Sequence, residues 1–239
     1  MSSLSKISAL ILGLSLVVGL SALGYLGGNY AIAVKEYERT VTVRGLAEQE
    51  ENADLVIWPI QFTETGNELD ALYGGLDNSA TRIREFLTEN GIADSEINLS
   101  PPAITDRYAQ LYGDSSQAEF RYTASQTVTV YSPQIDVVRD LMTSLSELGR
   151  EGIVLTGADY GRQPEFLFTR LNDIKPTMIE HATREARAAA EKFADDSQSQ
   201  LGKIKRASQG QFSISDRDRN NPHIKNVRVV VTVEYYLAD

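Results

Sequence analysis

Leu171–Ile214, LNDIKPTMIEHATREARAAAEKFADDSQSQLGKIKRASQGQFSI, is the stretch whose reading decides the fold. Asn172 or Asp173 can cap a helix there. Pro176 falls in the first turn, where its missing N–H has no intrahelical partner to lose. Met178 or Ile179, then Ala182, Ala186, Ala189 or Ala190, and Phe193 recur at intervals near three and four and draw one apolar stripe. Alanine buries little area, so such a stripe holds a helix best where the helix lies close against a sheet. Glu180 before Arg184 and Arg187 before Glu191 are i,i+4 pairs that help the outer faces slightly. His181, between Glu180 and Glu185, is expected in solvent rather than as a ligand or base. Gly202 and Gly210 then punctuate a strand region.

Upstream, Ile7–Leu26 contains no charged residue. At about 1.5 Å per residue it reaches roughly 30 Å, one hydrocarbon core. Lys6 before it favours a cytoplasmic N-terminus. A cleaved signal peptide is the competing reading, with Ala22-Leu23-Gly24 as a small-x-small site, but the run is long for a signal. Residues 1–30 are therefore expected to be a signal-anchor, or else a signal peptide. In either case the rest of the chain is exported. Ser15 with Gly19 and Gly24 with Gly28 form small-xxx-small pairs, a weak signal for helix association.

Strand and helix signals alternate after Gly28. Tyr37 to Val43 puts Tyr37, Val41 and Val43 on one face. Asp54 to Phe62 puts Val56, Trp58, Ile60 and Phe62 on one face, with Trp58 as a core anchor and Pro59 marking an edge or a bulge. A helix capped by Asn67 and ended by Asn90-Gly91 follows, with Leu69, Leu72, Tyr73, Leu76, Ala80, Ile83 and Leu87 as its buried stripe. Gly74-Gly75 within it points to a kink or a close contact. Beyond Ser100-Pro101-Pro102, strands at Ile104–Tyr112 and Phe120–Tyr131 flank the turn Gly113–Gln117 and make a long hairpin. Phe120, Tyr122, Ala124, Val128 and Val130 are expected to face inward. Ser132-Pro133 opens a helix whose stripe is Ile135, Val138, Leu141 or Met142, Leu145 and Leu148, with Gly149 as its stop. Short strands near Ile153–Asp159 and Glu165–Arg170 lead into the alanine helix. A last strand carries Val227, Val229, Val231, Val233, Tyr235 and Leu237 on one face, after the polar loop Asp216–Pro222. The pattern predicts an α+β fold, one or more mixed or mainly antiparallel sheets with helices packed on them, preceded by one N-terminal transmembrane helix. Whether the part beyond the anchor is one domain or two intertwined lobes stays open.

Composition excludes several chemistries. The formal net charge of −10 argues against a nucleic-acid partner. With no cysteine, disulfides, thiolate metal sites and cysteine nucleophiles are ruled out. Phosphate-loop, dinucleotide, zinc-protease, hydrolase-elbow and calcium-loop patterns are absent. His181 and His223 stand far apart, and the carboxylates Glu48, Glu50, Glu51 and Asp195-Asp196 read as solvated faces or helix ends. No catalytic, cofactor-binding or metal-binding residue is nominated, and no cofactor is expected.

Val41–Glu48 (VTVRGLAE), the helix from Leu171 through Ala194, Leu201–Lys205 (LGKIK), Gln209-Gly210 and Val231–Leu237 (VTVEYYL) together resemble the SIMPL-domain family, the YggE-like periplasmic proteins, over residues 36–238. The resemblance implies export or membrane anchoring in bacteria and a loose link to envelope or oxidative stress tolerance. It also implies assembly into large closed rings in which one strand reaches onto the neighbouring subunit. Relatives described as kinase-associated adaptors fit poorly with an exported domain. The family supplies no catalytic residues to carry over. A retained anchor would differ from soluble, processed members and would tie a ring to the membrane.

Two expectations follow. The first is a non-enzymatic, single-pass protein of the bacterial inner membrane, with its C-terminal domain in the periplasm and a cyclic homo-oligomer as its assembled form. The long hairpin and the strand bearing Pro59 would supply the donor and acceptor edges. The second is a ligand-binding or enzymatic module, soluble in the periplasm if the signal is cleaved, with a pocket built from Trp58, Tyr73, Tyr160 or the carboxylates.

Overall fold

A computed structural model describes residues 11, 13–26, 28, 39–109, 119–156 and 163–238. In chain order the strands are β1 (Thr40–Asn52), β2 (Leu55–Gly66), β3 (Ile97–Leu99), β4 (Ala103–Asp106), β5 (Tyr122–Ser132), β6 (Val154–Leu155), β7 (Glu165–Leu167), β8 (Gln200–Gln209), β9 (Ser213–Asp216) and β10 (Ile224–Ala238). The helices are α1 (Leu69–Glu89), α2 (Ile135–Ser144), α3 (Ser146–Arg150) and α4 (Leu171–Asp196). The chain divides into two compact units, each made of separate stretches. One takes in residues up to Glu48, Lys175–Ser213 and Arg228–Asp239; the other takes in Gln49–Ile174 and Ile214–Val227.

In the first unit β10 lies between β1 and β8. The expected face of β10 is buried from Val227 through Tyr235, while Leu237 is half-buried. On α4 the buried residues are Met178, Ala182, Ala186, Ala190 and Ala194, a strict i,i+4 row. Such a row is a ridge inclined about 26° to the helix axis. β1 meets this ridge through Gly45. A Cβ placed on Gly45 would lie 1.8 Å from the Ala182 carbonyl oxygen and 2.6 Å from the Ala186 nitrogen. Helix and strand backbones therefore touch, with glycine on one side and alanine on the other. The sequence pointed to close packing of this helix, and Gly45 is the partner it did not single out. Phe193, expected in the stripe, is instead 58% exposed. The helix also begins at Leu171, so Asn172 and Asp173 lie inside it rather than capping it, and Pro176 is interior.

In the second unit the sheet order is β3-β5-β2-β6, with β4 on β5 and β7 on β2. Each of these pairings is antiparallel. Val56, Trp58, Ile60 and Phe62 of β2 join Ala124, Val128 and Val130 of β5 in one core with α1, α2 and α3. Trp58 is the core anchor expected of it. Gln126 shares the inward face of β5 and remains satisfied by donating its amide to the Ser100 carbonyl at 2.8 Å. Phe120 precedes β5 and is exposed, against expectation.

Several boundaries differ for visible reasons. Asn67 does not cap α1; its side-chain oxygen accepts the Arg121 N–H at 2.9 Å. Leu69 and Tyr73 are exposed, and Phe86 with Ser79 joins the buried stripe. A methyl group on Gly74 would meet open space, and one on Gly75 would meet only the flexible Glu64 side chain, so neither a kink nor a close backbone approach explains the pair. The helix begun at Ile135 breaks at Leu145, and Gly152, with φ of 95°, ends the turn after α3. Pro133 stands two residues before that helix, and Ser132 accepts the Gln134 N–H. The strand expected from Ile104 stops at Asp106 in a 3₁₀ turn, Arg107–Ala109, and the hairpin tip at 110–118 lies outside the described residues. The strand expected over Ile153–Asp159 is described only as β6, because 157–162 lie outside them as well.

Residues 11, 13–26 and 28 are helical. Leu14, Leu16, Val17, Val18, Leu20, Leu23 and Leu26 are all exposed. No helix among the described residues is long and apolar enough to cross a membrane. The sequence span Ile7–Leu26 falls partly outside them, at 7–10 and 12.

Candidate functional site

β8 closes one side of the first unit's sheet, with β10 as its one neighbour among the described residues. All of β8 is exposed except half-buried Leu201, and β9 is exposed throughout. The register explains why this matters. Buried Val231, Val233 and Tyr235 of β10 stand opposite Gln209, Ala207 and Ile204 of β8. Residues directly opposed in an antiparallel pair share a face, so the sheet's inner face runs on uncovered across β8. Ile204 is 50% exposed there, and Ile214 of β9 is 41% exposed.

This edge is not uniform. From Glu234↔Arg206 to Tyr235↔Ile204, and again to Leu237↔Leu201, β8 carries one extra residue each time. Such bulges, together with Lys203 and Lys205, blunt an edge against indiscriminate pairing. Lys205 is also engaged, donating to Glu234 at 3.1 Å. From Arg206 to Gln209 the register is unbroken. The regular, open part of the edge is therefore Arg206–Gln209.

The strand bearing Pro59 does not supply an outer edge. β2 lies between β5 and β6 in the sheet, and its pairing with β5 passes through Pro59↔Thr129 without a shift. On the other side, among the described residues, β7 pairs with β2 as far as Ile57 and β6 from Phe62. Pro59 therefore marks neither an edge nor a bulge in the β2–β5 ladder.

The nominated groups do not converge. Trp58 is buried in the core and Tyr73 is exposed on α1; neither lines the cavities beside His223, Lys225 or Leu99. Tyr160 lies outside the described residues. His181 is exposed. Glu48 pairs with Arg228 at 3.2 Å, Glu50 with Arg217 at 3.6 Å, and Glu51 accepts the Gln49 amide at 2.7 Å. Asp195 and Asp196 end α4. Among the described residues no group of three or more His, Cys, Asp or Glu side chains is placed to hold a metal ion.

Two carboxylates that the sequence pattern does not flag are better held. Asp54, in the β1–β2 corner, accepts the Thr169 N–H and hydroxyl and the Arg170 N–H and guanidinium. Partial burial opposes its ionisation, but these bonds outweigh it and keep the carboxyl below its ordinary range. Asp218 accepts from Arg217, Asn220 and Asn221 and is held down to about 2, chiefly by the Arg217 and Asn221 side chains. Lys225 is buried beside Asp216, which accepts its ammonium. The polar loop thus turns on internal ion pairs.

The class is an α+β protein of antiparallel sheets in two units interleaved along the chain, with an alanine helix seated on a strand glycine and an exposed β8 edge. Residues 41–235 match the SIMPL family, described as "Protein of unknown function (DUF541)". That match spans well over half of the chain, which belongs to the SIMPL family. It opens in β1 and closes in β10, neighbours in one sheet. No curated protein matches the chain.

Proposed function

We propose that this chain is a non-enzymatic, membrane-tethered extracytoplasmic protein that assembles with its own copies into a cyclic homo-oligomer. The observation that carries this reading is the exposed β8 edge, whose one strand neighbour among the described residues is β10. A ring needs a heterologous contact, in which one copy's edge meets a different surface on the next. The bulged, lysine-bearing half of β8 disfavours chance pairing and leaves Arg206–Gln209 as the segment for a register-specific one.

The tether is supported by the N-terminal helix, whose leucines and valines are exposed around its whole circumference. A helix apolar on all faces suits a lipid environment. The inner membrane and periplasm are the matching compartments for a domain on the far side of such a segment.

Mass photometry of the full-length chain in mild detergent tests the assembly. A large, discrete mass is expected. A monomeric mass at roughly micromolar concentration, where specific interfaces of ordinary size are occupied, would refute it.

A further inference from the structure

His223 stands immediately before β10, at the end of the polar turn. Its carbonyl oxygen accepts the Ala53 N–H at 2.8 Å, tying this point to the β1–β2 corner. Its ring meets Phe166 edge-on, with centroids 6.0 Å apart and planes at 65°. Phe166 belongs to the second unit's core. Beside the ring opens a cavity of about 480 Å³ lined by Asn52, Pro133, Gln134, Asp136 and Arg139.

The charges around it come from two elements. α2 brings Asp136 and Arg139, 3.5 Å apart, and the preceding turn brings Arg217 and Asp218, 3.0 Å apart. In the β1–β2 corner Asp54 is committed to Thr169 and Arg170. On β7 the neighbour of Phe166, Glu165, is exposed. Asp136, Asp218 and Asp54 thus each already have an arginine. A proton on the imidazole would add a third cation beside Arg139 and Arg217.

We propose that His223 is an acid-released latch. Neutral, it packs on Phe166 and holds the Asp216–Pro222 turn to the β1–β2 corner; protonated, it swings into the adjoining cavity and frees that corner. Burial first, then Arg139 and Arg217, hold the imidazole below its ordinary value of 6.5, against a smaller opposing pull from Asp136 and Asp218. The unfolded chain therefore takes up this proton before the folded one, and local stability falls as pH drops below about 6.5. The latch stands on this geometry alone. That it meets ambient acid rests on the extracytoplasmic reading above.

The test uses the full chain in detergent micelles. Ring-proton NMR follows both histidines between about pH 8 and pH 5, with His181→Asn fixing the assignment. Amide exchange at Ala53, corrected for its intrinsic rate, is read at both ends. The expected results are a His223 midpoint below about 6.5 and an Ala53 amide that loses protection several-fold in acid. In His223→Phe, which keeps a ring and removes the charge, that loss should disappear. An unshifted midpoint, or equal Ala53 protection at both pH values, overturns the latch. If His223→Phe does not fold, the wild-type titration and exchange still decide. Neither readout depends on particle mass, so the latch and the ring can fail separately.

Discussion

The two units seat a helix on a sheet in opposite ways. Where α4 meets β1, the contact is made by the smallest residues: Ala182 and Ala186 lie against Gly45, and the backbones themselves touch. Where α1 joins the second unit's core, Leu72, Leu76, Ile83 and Leu87 fill the space beside Trp58, Ile60 and Phe62 with large side chains. The lesson is one of sign. At the first contact added volume is the danger, because what stands in the way is backbone that cannot rotate aside. At the second, lost volume is the danger, because the removed atoms leave a void in a close-packed core.

The sharpest way to break this comparison is a pair of alanine substitutions measured by denaturant unfolding. Gly45→Ala adds one methyl where no room exists and should destabilise by about 3 kcal/mol or more, the upper end for overpacking. Leu76→Ala removes three carbons from a fully buried side chain and should lose about 2–5 kcal/mol. If Gly45→Ala were neutral, backbone contact at α4 would be wrong. If Leu76→Ala were neutral, α1 would not share the core.

A smaller effect concerns the corner that leads into α4. The Asp54 carboxyl titrates below its ordinary value of 3.8 in the folded chain. Its contribution is therefore complete above about pH 4 and is lost as pH falls through the lower, folded value. Asp54→Asn keeps one acceptor oxygen and should lose about 1–3 kcal/mol at neutral pH, with a flatter stability profile below pH 4 than the wild type. An unchanged acid limb in Asp54→Asn would remove Asp54 from the account.

Much of this was legible because certain residues announce their environment. The alanine row could only mean a close neighbour, and the valine series of β10 alternates cleanly enough to fix its buried face. Gly45 carries no local signal of its own, since its need arises from a helix more than a hundred residues away. Leu69, Tyr73 and Phe193 have nearly the right spacing yet sit off the buried row of their helices, and periodicity does not say how wide the covered stripe is. The β8 edge escapes the sequence pattern for a related reason. LGKIKRASQ lacks the alternation of a half-buried strand, because neither of its faces is buried.

The central claim is that this edge is occupied by another copy in the assembled protein. The direct measurement is amide hydrogen exchange along Gln200–Asp216, taken on dilute and on assembled full-length protein. The account predicts that amides in Arg206–Gln209 slow markedly on assembly, while the bulged stretch near Lys203 and Lys205 changes little. Equal exchange across Gln200–Asp216 in a particle shown to be a large oligomer would place the contact elsewhere and contradict it.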